Sequence, residues 1–424
     1  MIARLETDNP AGFRERNGIW TLALANGISR VGNSMTSLAV PWFVLVTTDS
    51  ASRTGLVGAV VAFSPVAAGL ISGPIVDRLG FRKTSIISDA LSGVTVALIP
   101  ALYLIEWLTY WQLLVLVFLG AFFDVPGRAA RRALVPSLAR RSAMPLERAN
   151  AALQLSSSLS DTIIAPLLAG FLIAAIGAAQ VLFVDAGTFG VSILIIGLLI
   201  TVQASKSAST EGAVPEEEGA GTAERLLAGF RFVFRDRAVM AILPMALLIN
   251  FTGSAIGGVL LPVYVRDEYG NPAYFGLIIG AMGIGVLLGT LLYGAVGNRY
   301  SRYNTFLLGF SVTTVGIWLF TLANFLPTDL AGMFLLGLGM APANPLMQTL
   351  LQMRTPERIL GRVISALFTL FSVASPLGVL IAGVGVDVVG LRTCLIVTAL
   401  LFTAVPFWLG FSPWSRAAAP AFDE

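Results

Sequence analysis

Carboxylates and one arginine are the residues of this sequence whose types and spacing could move a proton through apolar surroundings. The 424 residues contain no histidine and a single cysteine, so the most common metal ligand and the usual neutral-pH proton carrier are missing. We therefore expect no metal and no other cofactor, and we assign proton coupling to carboxylates. Asp161 is the first candidate, with Arg30 as its charge partner and Asp185 as a further acid.

Arg30 and Asp161 lie at equal depth in their predicted helices. Each is about 13 residues from the cytoplasmic end of its segment, which corresponds to roughly 20 Å at about 1.5 Å per residue. Contact between the two side chains is therefore possible, and a rearrangement that changes their separation could load and release a proton. The alternative is a permanent ion pair that only holds two helices together.

Polar residues share one face of each of these two segments. Asn26, Arg30 and Asn33 fall at helical positions i, i+4 and i+7, and Gln154 shares a face with Asp161. A polar stripe that faces lipid would be very costly, so it should line a cavity or face another helix. Amides elsewhere in apolar segments are either substrate contacts or helix-to-helix hydrogen bonds. We assign six amides to substrate contact: Asn26, Asn33, Gln154, Asn250, Asn344 and Gln348.

The segments that carry these residues are predicted to cross a membrane. The sequence is 56% hydrophobic and 12% charged, whereas an average soluble chain is about 25% charged. Since a spanning helix takes about 20 apolar residues, there is room for roughly twelve. Helices are expected because backbone groups in lipid must be satisfied within the segment, and barrel-type alternation is missing. The first six spans lie near 17–46, 54–76, 85–104, 110–125, 148–175 and 180–203. The second six lie near 238–264, 273–296, 304–322, 330–350, 363–388 and 391–412.

The distribution of basic residues predicts the orientation. With both termini in the cytoplasm, all but four of the 27 Lys and Arg fall in cytoplasmic segments; the exceptions are Arg30, Arg53, Arg266 and Arg392. The basic residues are spread over many segments, as charges that face anionic lipid headgroups would be, and are not gathered on one surface. We therefore expect a membrane-lipid environment and no nucleic-acid partner.

A polar segment divides the predicted spans into two sets of six. The linker, ASKSASTEGAVPEEEGAGTAE, has too little apolar surface to fold. After it, Leu226, Phe230 and Phe234 fall at helical spacing, which predicts an amphipathic helix on the membrane surface. The predicted domains are a six-helix bundle over 1–203, the linker and surface helix over 204–237, and a second bundle over 238–424. Similar sequences at 73–83 and 294–303 follow matching spans, which indicates pseudo-symmetric halves with the site between them.

A motif at the end of the second span is the most specific feature of the sequence. Its pattern, GxxxDRxGxRK, begins at Gly73 and ends at Lys83. A tight glycine turn would pack two helix ends closely while Asp and Arg pair across a cytoplasmic seam; charges that only orient the chain are the alternative. Asp124 is a natural partner for Arg78 or Arg82. The predicted gate therefore comprises Gly73, Asp77, Arg78, Gly80, Arg82 and Asp124.

The spacing of this motif resembles the best-known motif of the major facilitator superfamily, with Phe81 where arginine is usual. The segment DTIIAPLLAG in the fifth span resembles a degraded antiporter motif. Across nearly the whole chain the sequence is similar to the drug/proton antiporter branch that includes macrolide-efflux and siderophore-exporter proteins. The resemblance implies an all-α fold of twelve transmembrane helices in two six-helix bundles.

The same resemblance implies a function. It predicts a monomeric efflux transporter in the bacterial inner membrane that exports amphipathic small molecules by alternating access, as a proton antiporter. Export of one metabolite such as a siderophore, or movement of a lipid, is the main alternative. A channel or a membrane enzyme is a remote one, since no catalytic constellation is present in the sequence. We therefore expect that the protein is not an enzyme.

Overall fold

The computed structural model describes residues 17–200 and 230–411, and within these ranges every regular element is helical. Helices that continue through a π-helical turn or a short break are numbered here as one element. The first six are α1 (Gly18–Thr48), α2 (Ala51–Leu79), α3 (Phe81–Leu104), α4 (Tyr110–Arg141), α5 (Leu146–Ile176) and α6 (Ala178–Leu199).

Six more elements follow residue 236. They are α7 (Arg237–Ala255, the π-helical turn Ile256–Leu260, and Leu261–Tyr269), α8 (Ala273–Val296), α9 (Arg302–Leu322), α10 (Leu326–Met340 and Ala343–Arg354), α11 (Glu357–Val389) and α12 (Leu391–Phe411). The predicted all-α fold is confirmed for the described residues, with six long helices before residue 201 and six after residue 236.

Eleven of these twelve elements contain a stretch long and apolar enough to cross a membrane. The exception is α1, whose 31 residues are long enough but include Asn26, Arg30, Asn33 and Ser34, which lower its mean hydropathy. A helix of this length with polar residues at helical spacing is expected to face protein or a cavity rather than lipid. The described residues form a multi-pass membrane protein.

The helices fall into two compact units by their contacts. Within the described residues, unit 1 comprises 17–39, 64–165 and 176–200, and unit 2 comprises 40–63, 166–175 and 230–411. The division passes through α1, α2 and α5. The predicted bound at 203 lies within 201–229, outside the described residues, whereas 238 is the second residue of α7. Both domain bounds stay predictions.

Unit 1 has an apolar core at one end of α1. Ile19, Leu22 and Ala25 pack against Leu134 and Leu138 of α4, and all five are less than 5% exposed. Residues of α5 and α6 complete this cluster. This core packs the beginning of α1 against α4, and the polar residues Asn26 and Arg30 follow it along α1.

Unit 2 is packed through glycines. A Cβ added to Gly332 of α10 would lie 2.7 Å from the carbonyl oxygen of Gly316 in α9. One added to Gly55 of α2 would lie 2.8 Å from the carbonyl oxygen of Val379 in α11 and 3.0 Å from the Cα of Gly383. Larger residues at these positions would separate the helices, so the glycines permit backbone contact, as is common between membrane helices.

The two ends of α2 differ. At its beginning, Asp387 of α11 accepts hydrogen bonds from the backbone N–H groups of Ala51 (3.2 Å) and Ser52 (2.8 Å), which satisfies free donors at a helix N-terminus. At its end, Gly80 has φ of 78° and joins α2 to α3, a conformation that glycine adopts without strain. The glycine turn predicted from the motif is present.

The predicted surface helix is described only in part. Leu226 lies outside the described residues. Phe230 packs against an apolar cluster that includes the fully buried Val233 and Val363, whereas Phe234 is 56% exposed. Phe230 and Phe234 therefore do not have the same surroundings.

Candidate functional site

Arg30 of α1 and Asp161 of α5 form an ion pair in unit 1. The Ser34 hydroxyl donates to the other carboxylate oxygen of Asp161 at 2.7 Å. The side chains of Arg30 and Asp161 are 22% and 31% exposed to solvent. The contact that equal depth along the two helices made possible is therefore present, and solvent can reach both partners.

A π-helical turn positions Asp161. It comprises Ser160–Ile164 and interrupts the α-helical hydrogen bonding of α5. Ser156, one turn earlier, and Ser160, the first residue of the π-helical turn, donate hydrogen bonds to the backbone carbonyls of Ala23 (2.6 Å) and Gly27 (3.1 Å) in α1. Small hydroxyl side chains let α5 approach α1 closely, and the π turn then directs the Asp161 carboxylate towards Arg30.

A cavity of about 410 Å³ adjoins this pair. Its lining includes three arginines and three amides: Arg30, Arg128, Arg132, Asn26, Asn150 and Gln154. No Asp or Glu among the described residues lines it. Its volume lies within the range of small-molecule sites, about 300–1,000 Å³. Two of the six amides assigned to substrate contact, Asn26 and Gln154, therefore face one cavity together with Arg30.

A second ion pair lies deeper in unit 1. Arg131 of α4 and Asp89 of α3 are 2.8 Å apart, and their side chains are 1% and 0% exposed. The Ser192 hydroxyl of α6 donates to the other oxygen of Asp89 at 2.7 Å. Asp124 lies 3.6 Å from Arg131. This network joins three helices and is closed to solvent.

The partners of Asp124 differ from the expected ones. Its carboxylate pairs with Arg128 at 3.1 Å, one turn along α4, and accepts from the Asn33 amide at 3.3 Å. Arg82 instead donates to the backbone carbonyl of Gly197 in α6. The expected pairing of Asp124 with Arg82 or Arg78 is therefore wrong for this structure, because nearer arginines on its own helix neutralise the acid.

Three other residues of the predicted gate are open to solvent. Asp77 and Arg78 are exposed, and neither forms an ion pair among the described residues. A Cβ added to Gly73 would meet nothing within 4 Å. The close packing expected at Gly73 is therefore not observed among the described residues, and the assignment of the motif to a gate stays a prediction.

Asp185 of α6 is fully buried in unit 1. Its two carboxylate oxygens accept hydrogen bonds from the hydroxyls of Thr36 in α1 and Thr188 in α6, the latter at 3.2 Å. Within the described ranges no basic side chain forms an ion pair with it. Asp185 is therefore held by hydroxyl groups alone, unlike Asp161 and Asp89.

Three of the four remaining predicted amides belong to unit 2. Asn250 of α7 donates to the carbonyl of Ala246, one turn back on its own helix, at 2.8 Å. Asn344 and Gln348 are exposed on one face of α10. Their assignment to substrate contact stays a prediction, and that of Asn33 is weakened because its amide is bonded to Asp124.

Sequence reasoning missed Arg128, Arg131 and Arg132 as site residues. They were counted as orientation charges because the predicted span ended at 125, whereas α4 continues to Arg141. Their spacing from Asp124 on a continuous helix could have revealed them. Asn150 was also missed; it lies one turn before Gln154 on the same face.

A buried acid of unit 2 was also missed. Asp329 of α10 is fully buried and accepts from the hydroxyls of Tyr264 (2.7 Å) and Tyr269 (2.6 Å) of α7. These contacts fasten the end of α7 to the start of α10.

Among the described residues there is no group of three or more Cys, Asp or Glu side chains that could hold a metal ion.

Comparison with known proteins gives one consistent result. The family model described as Major Facilitator Superfamily matches residues 22–256 and 245–421. The chain is 33% identical over 374 residues to the multidrug efflux pump Tap of Mycolicibacterium fortuitum, covering 87% of this chain and 89% of that protein. It is 28% identical to the enterobactin exporter EntS of Salmonella typhimurium, covering 80% and 78%. The crystal structure of the nucleoside transporter NupG matches with a TM-score of 0.73 at 11% identity, covering 92% of this chain and 98% of that one.

Proposed function

Since the chain belongs to the major facilitator superfamily, we propose that it is a secondary active transporter that exports amphipathic small molecules in exchange for protons. The observation that carries this proposal is the solvent-accessible Arg30–Asp161 ion pair at a polar cavity. The similarity to a protein named as a multidrug efflux pump supports export. Asp161 is the proton carrier, and Arg30 is its partner when the carboxylate is ionised.

The coupling step follows from the geometry of the pair. When Asp161 binds a proton, it loses its charge attraction to Arg30, and the guanidinium becomes free to change partner. Because α1 and α5 are joined by this pair and by serine-to-carbonyl hydrogen bonds, loading the proton weakens one of a small number of links between the helices. The change in linkage between α1 and α5 is the step that would bias alternating access.

The cytoplasmic gate is proposed to be the motif at the end of α2. Gly73, Asp77, Arg78, Gly80 and Arg82 surround the glycine turn that joins α2 to α3, and the exposed Asp77 and Arg78 are available for pairing. Asp124 acts with them indirectly, through Arg128 and the amide of Asn33. Rocking of the two six-helix halves would then give the substrate access to each side of the membrane in turn.

Substrate contact is proposed at the cavity first. Asn26 donates to Ser157 at 3.0 Å and Gln154 to Ser158 at 3.4 Å, which leaves the amide oxygens of both residues free of these bonds. Asn33, Asn250, Asn344 and Gln348 remain proposed contacts for a substrate at another stage of the cycle. The mixture of donors and acceptors suits amphipathic compounds.

The proposed location is the inner membrane of a bacterium, with both termini in the cytoplasm and the protein acting as a monomer. Membrane lipids would contact the apolar side chains that the helices expose, such as Phe171 and Leu198, each 66% exposed. Exposed apolar surface of this kind marks a membrane or protein contact. A proton gradient across that membrane would supply the free energy for export.

Transport by purified protein in vesicles tests the proposal. Proteoliposomes with an imposed proton gradient should accumulate a dye against its concentration gradient, and the Asp161→Asn variant should lose uphill transport while still binding the dye. An Asp161→Asn variant that still moves the dye uphill would overturn the role of Asp161, and Asp185 would be the next acid to test. Absence of transport by the wild type across a panel of dyes and antibiotics would overturn multidrug export.

Export of a single metabolite is a second candidate function. The similarity to a protein named as an enterobactin exporter favours it over a lipid carrier. Accumulation of a panel of antibiotics in cells with and without the protein distinguishes the two kinds of exporter. A protein dedicated to one metabolite would leave the whole panel unchanged.

A further inference from the structure

The cavity in unit 1 carries an excess of positive charge. Arg30 is paired with Asp161, and Arg128 is paired with Asp124 at 3.1 Å. Arg132 lines the same cavity, is exposed, and forms no ion pair among the described residues. Of the three guanidinium groups that line the cavity, two are therefore paired with carboxylates outside the lining, and the charge without an ion pair among the described residues belongs to Arg132.

The arginines and amides of the lining come as three pairs, and the two members of each pair are one helical turn apart. Asn26 and Arg30 lie on α1, Arg128 and Arg132 on α4, and Asn150 and Gln154 on α5. Residues at positions i and i+4 lie on one face of a helix, so each helix presents two polar groups to the same space. A ligand in this space meets guanidinium and amide groups from three helices.

We propose that this cavity selects ligands that carry an anionic group, such as a carboxylate, a phenolate or a sulfonate, and that Arg132 binds that group. This inference rests on the proposed function, because it names the chemical class of the exported ligand. Guanidinium groups bind such anions through charge-assisted, often paired, hydrogen bonds. A cationic ligand would meet an unpaired positive charge and no lining carboxylate, so the cavity discriminates against it.

Arg132 suits this role better than the other two arginines. An anion at Arg30 would have to displace Asp161, and an anion at Arg128 would have to displace Asp124. Binding at Arg132 breaks neither pair, so it leaves the proposed proton carrier in place. The other explanation for Arg132 is an orientation charge near the cytoplasmic surface, which would make no contact with a ligand.

Two dyes of similar size and opposite charge test the proposal. Fluorescein is an anion and rhodamine 123 a cation, and both are built on the same xanthene ring system. Binding to the purified full-length protein would be measured by fluorescence anisotropy, and export by proteoliposome transport. We expect fluorescein to bind at least about tenfold more tightly than rhodamine 123, and the Arg132→Gln variant to weaken fluorescein binding about tenfold, as expected for loss of one charge-assisted contact.

Arg140→Gln is the matched control. Arg140 is an exposed arginine two turns further along α4 and does not line the cavity. Its substitution should change fluorescein binding less than about twofold, within the usual effect of a distant surface charge. Equal losses in the two variants would overturn the proposal, because the effect would then come from net charge alone.

Further outcomes separate this proposal from the proposed function. Rhodamine 123 binding as tightly as fluorescein would overturn the anion preference, while uphill export of either dye would leave the efflux function intact. Failure of both dyes to bind would also overturn the proposed anion preference, since the cavity is large enough for a xanthene. If phosphatidylglycerol competes with fluorescein in the wild type but not in Arg132→Gln, the anionic group is a lipid headgroup, and the assignment to an exported ligand is overturned.

Discussion

Two ion pairs of the same chemistry lie in unit 1, and they differ in their access to solvent. The Arg30 and Asp161 side chains are 22% and 31% exposed beside a cavity, whereas those of Arg131 and Asp89 are 1% and 0% exposed. Arg30–Asp161 joins α1 to α5, whereas Arg131–Asp89 joins the consecutive helices α3 and α4. An accessible pair can exchange a proton or a partner with its surroundings, and a sealed pair cannot do so without opening the fold.

The energetic consequences of the two pairs also differ. Removing one partner of a buried pair leaves an uncompensated charge in surroundings of low dielectric, which is strongly destabilising. Removing one partner of an accessible pair leaves a charge that water in the cavity can solvate. We therefore expect Arg131–Asp89 to contribute mainly to stability, and we propose coupling as the role of Arg30–Asp161.

The largest expected effect is on the sealed pair. Asp89→Asn leaves Arg131 buried without its nearest counter-charge and should destabilise the protein by ~3–5 kcal/mol. We expect a large fall in thermal stability and in the yield of monodisperse protein, measured by thermal unfolding and size-exclusion chromatography in detergent. The double variant Asp89→Leu with Arg131→Leu should be more stable than either single variant, because it removes both charges.

Asp161→Asn is the control for this measurement. It should lower thermal stability far less than Asp89→Asn, since both members of the accessible pair can be hydrated. Equal destabilisation by the two substitutions would contradict the difference proposed between the pairs, because it would mean that Arg30–Asp161 also serves mainly to stabilise the fold.

The second prediction concerns the accessible pair. Arg30→Gln should fold normally and reduce uphill transport at least about tenfold, because Asp161 loses the partner that its proton would release. Transport in proteoliposomes with and without a proton gradient measures the effect. The reversed pair, with Arg30→Asp and Asp161→Arg together, should also fold normally but should not restore uphill transport. A reversed pair that transports normally would show that only the link between the helices matters.

A smaller effect is expected at Ser34. Its hydroxyl donates to Asp161 at 2.7 Å, so Ser34→Ala removes one hydrogen bond to a charged group, worth about 1.5–3 kcal/mol when buried and less at this exposure. Uphill transport should fall a few-fold, with little change in thermal stability.

Ser37→Ala is the matched control for Ser34. The Ser37 hydroxyl donates to the backbone carbonyl of Ser34 on its own helix and has no contact with Asp161 among the described residues. Its loss should leave transport near the wild-type rate. A Ser37→Ala variant as impaired as Ser34→Ala would point to a general sensitivity of α1.

The smallest effect is expected at Asp185. This acid is buried like Asp89, but its described partners are hydroxyl groups that an amide can also bond. Asp185→Asn should therefore keep both stability and uphill transport within about twofold of the wild type, the range usual for a substitution that retains its hydrogen bonds. Loss of uphill transport in this variant, with transport retained in Asp161→Asn, would reverse the assignment of the proton carrier.

Hydropathy predicted the helices well, because every span in lipid must satisfy its own backbone and carries a long apolar stretch. It failed at the end of α4, predicted at 125 and observed at Arg141. Arg128 and Arg131 read as the start of a loop because charge in a span is costly. In the structure, Asp124 pairs with Arg128 and Asp89 pairs with Arg131. Hydropathy averaged over a window of sequence does not include Asp89, because that acid comes from another helix.

The site was predictable where one helix supplies its geometry. The spacing of Asn26 and Arg30 predicted a shared face, and equal depth made the pairing of Arg30 with Asp161 possible. The pairing of Arg131 with Asp89 depends on how α3 packs against α4, which spacing within a helix does not determine. The sequence motif likewise predicted the turn at Gly80 but not the partners of Asp124.

The π-helical turn at Ser160–Ile164 gives α5 a sensitivity to its length. Such a turn contains one residue more than the α-helical turn that it replaces, and each residue advances an α-helix by about 100°. Deleting one residue from this turn would restore a regular helix and rotate everything on one side of it relative to the other. Ser156, which contacts α1 before the turn, and Pro166 and Gly170, which follow the turn, would then no longer have their present relative orientation around the helix axis. In this part of the gene, the loss of a single codon would therefore do more harm than most substitutions. The number of residues in this turn matters as well as their identity.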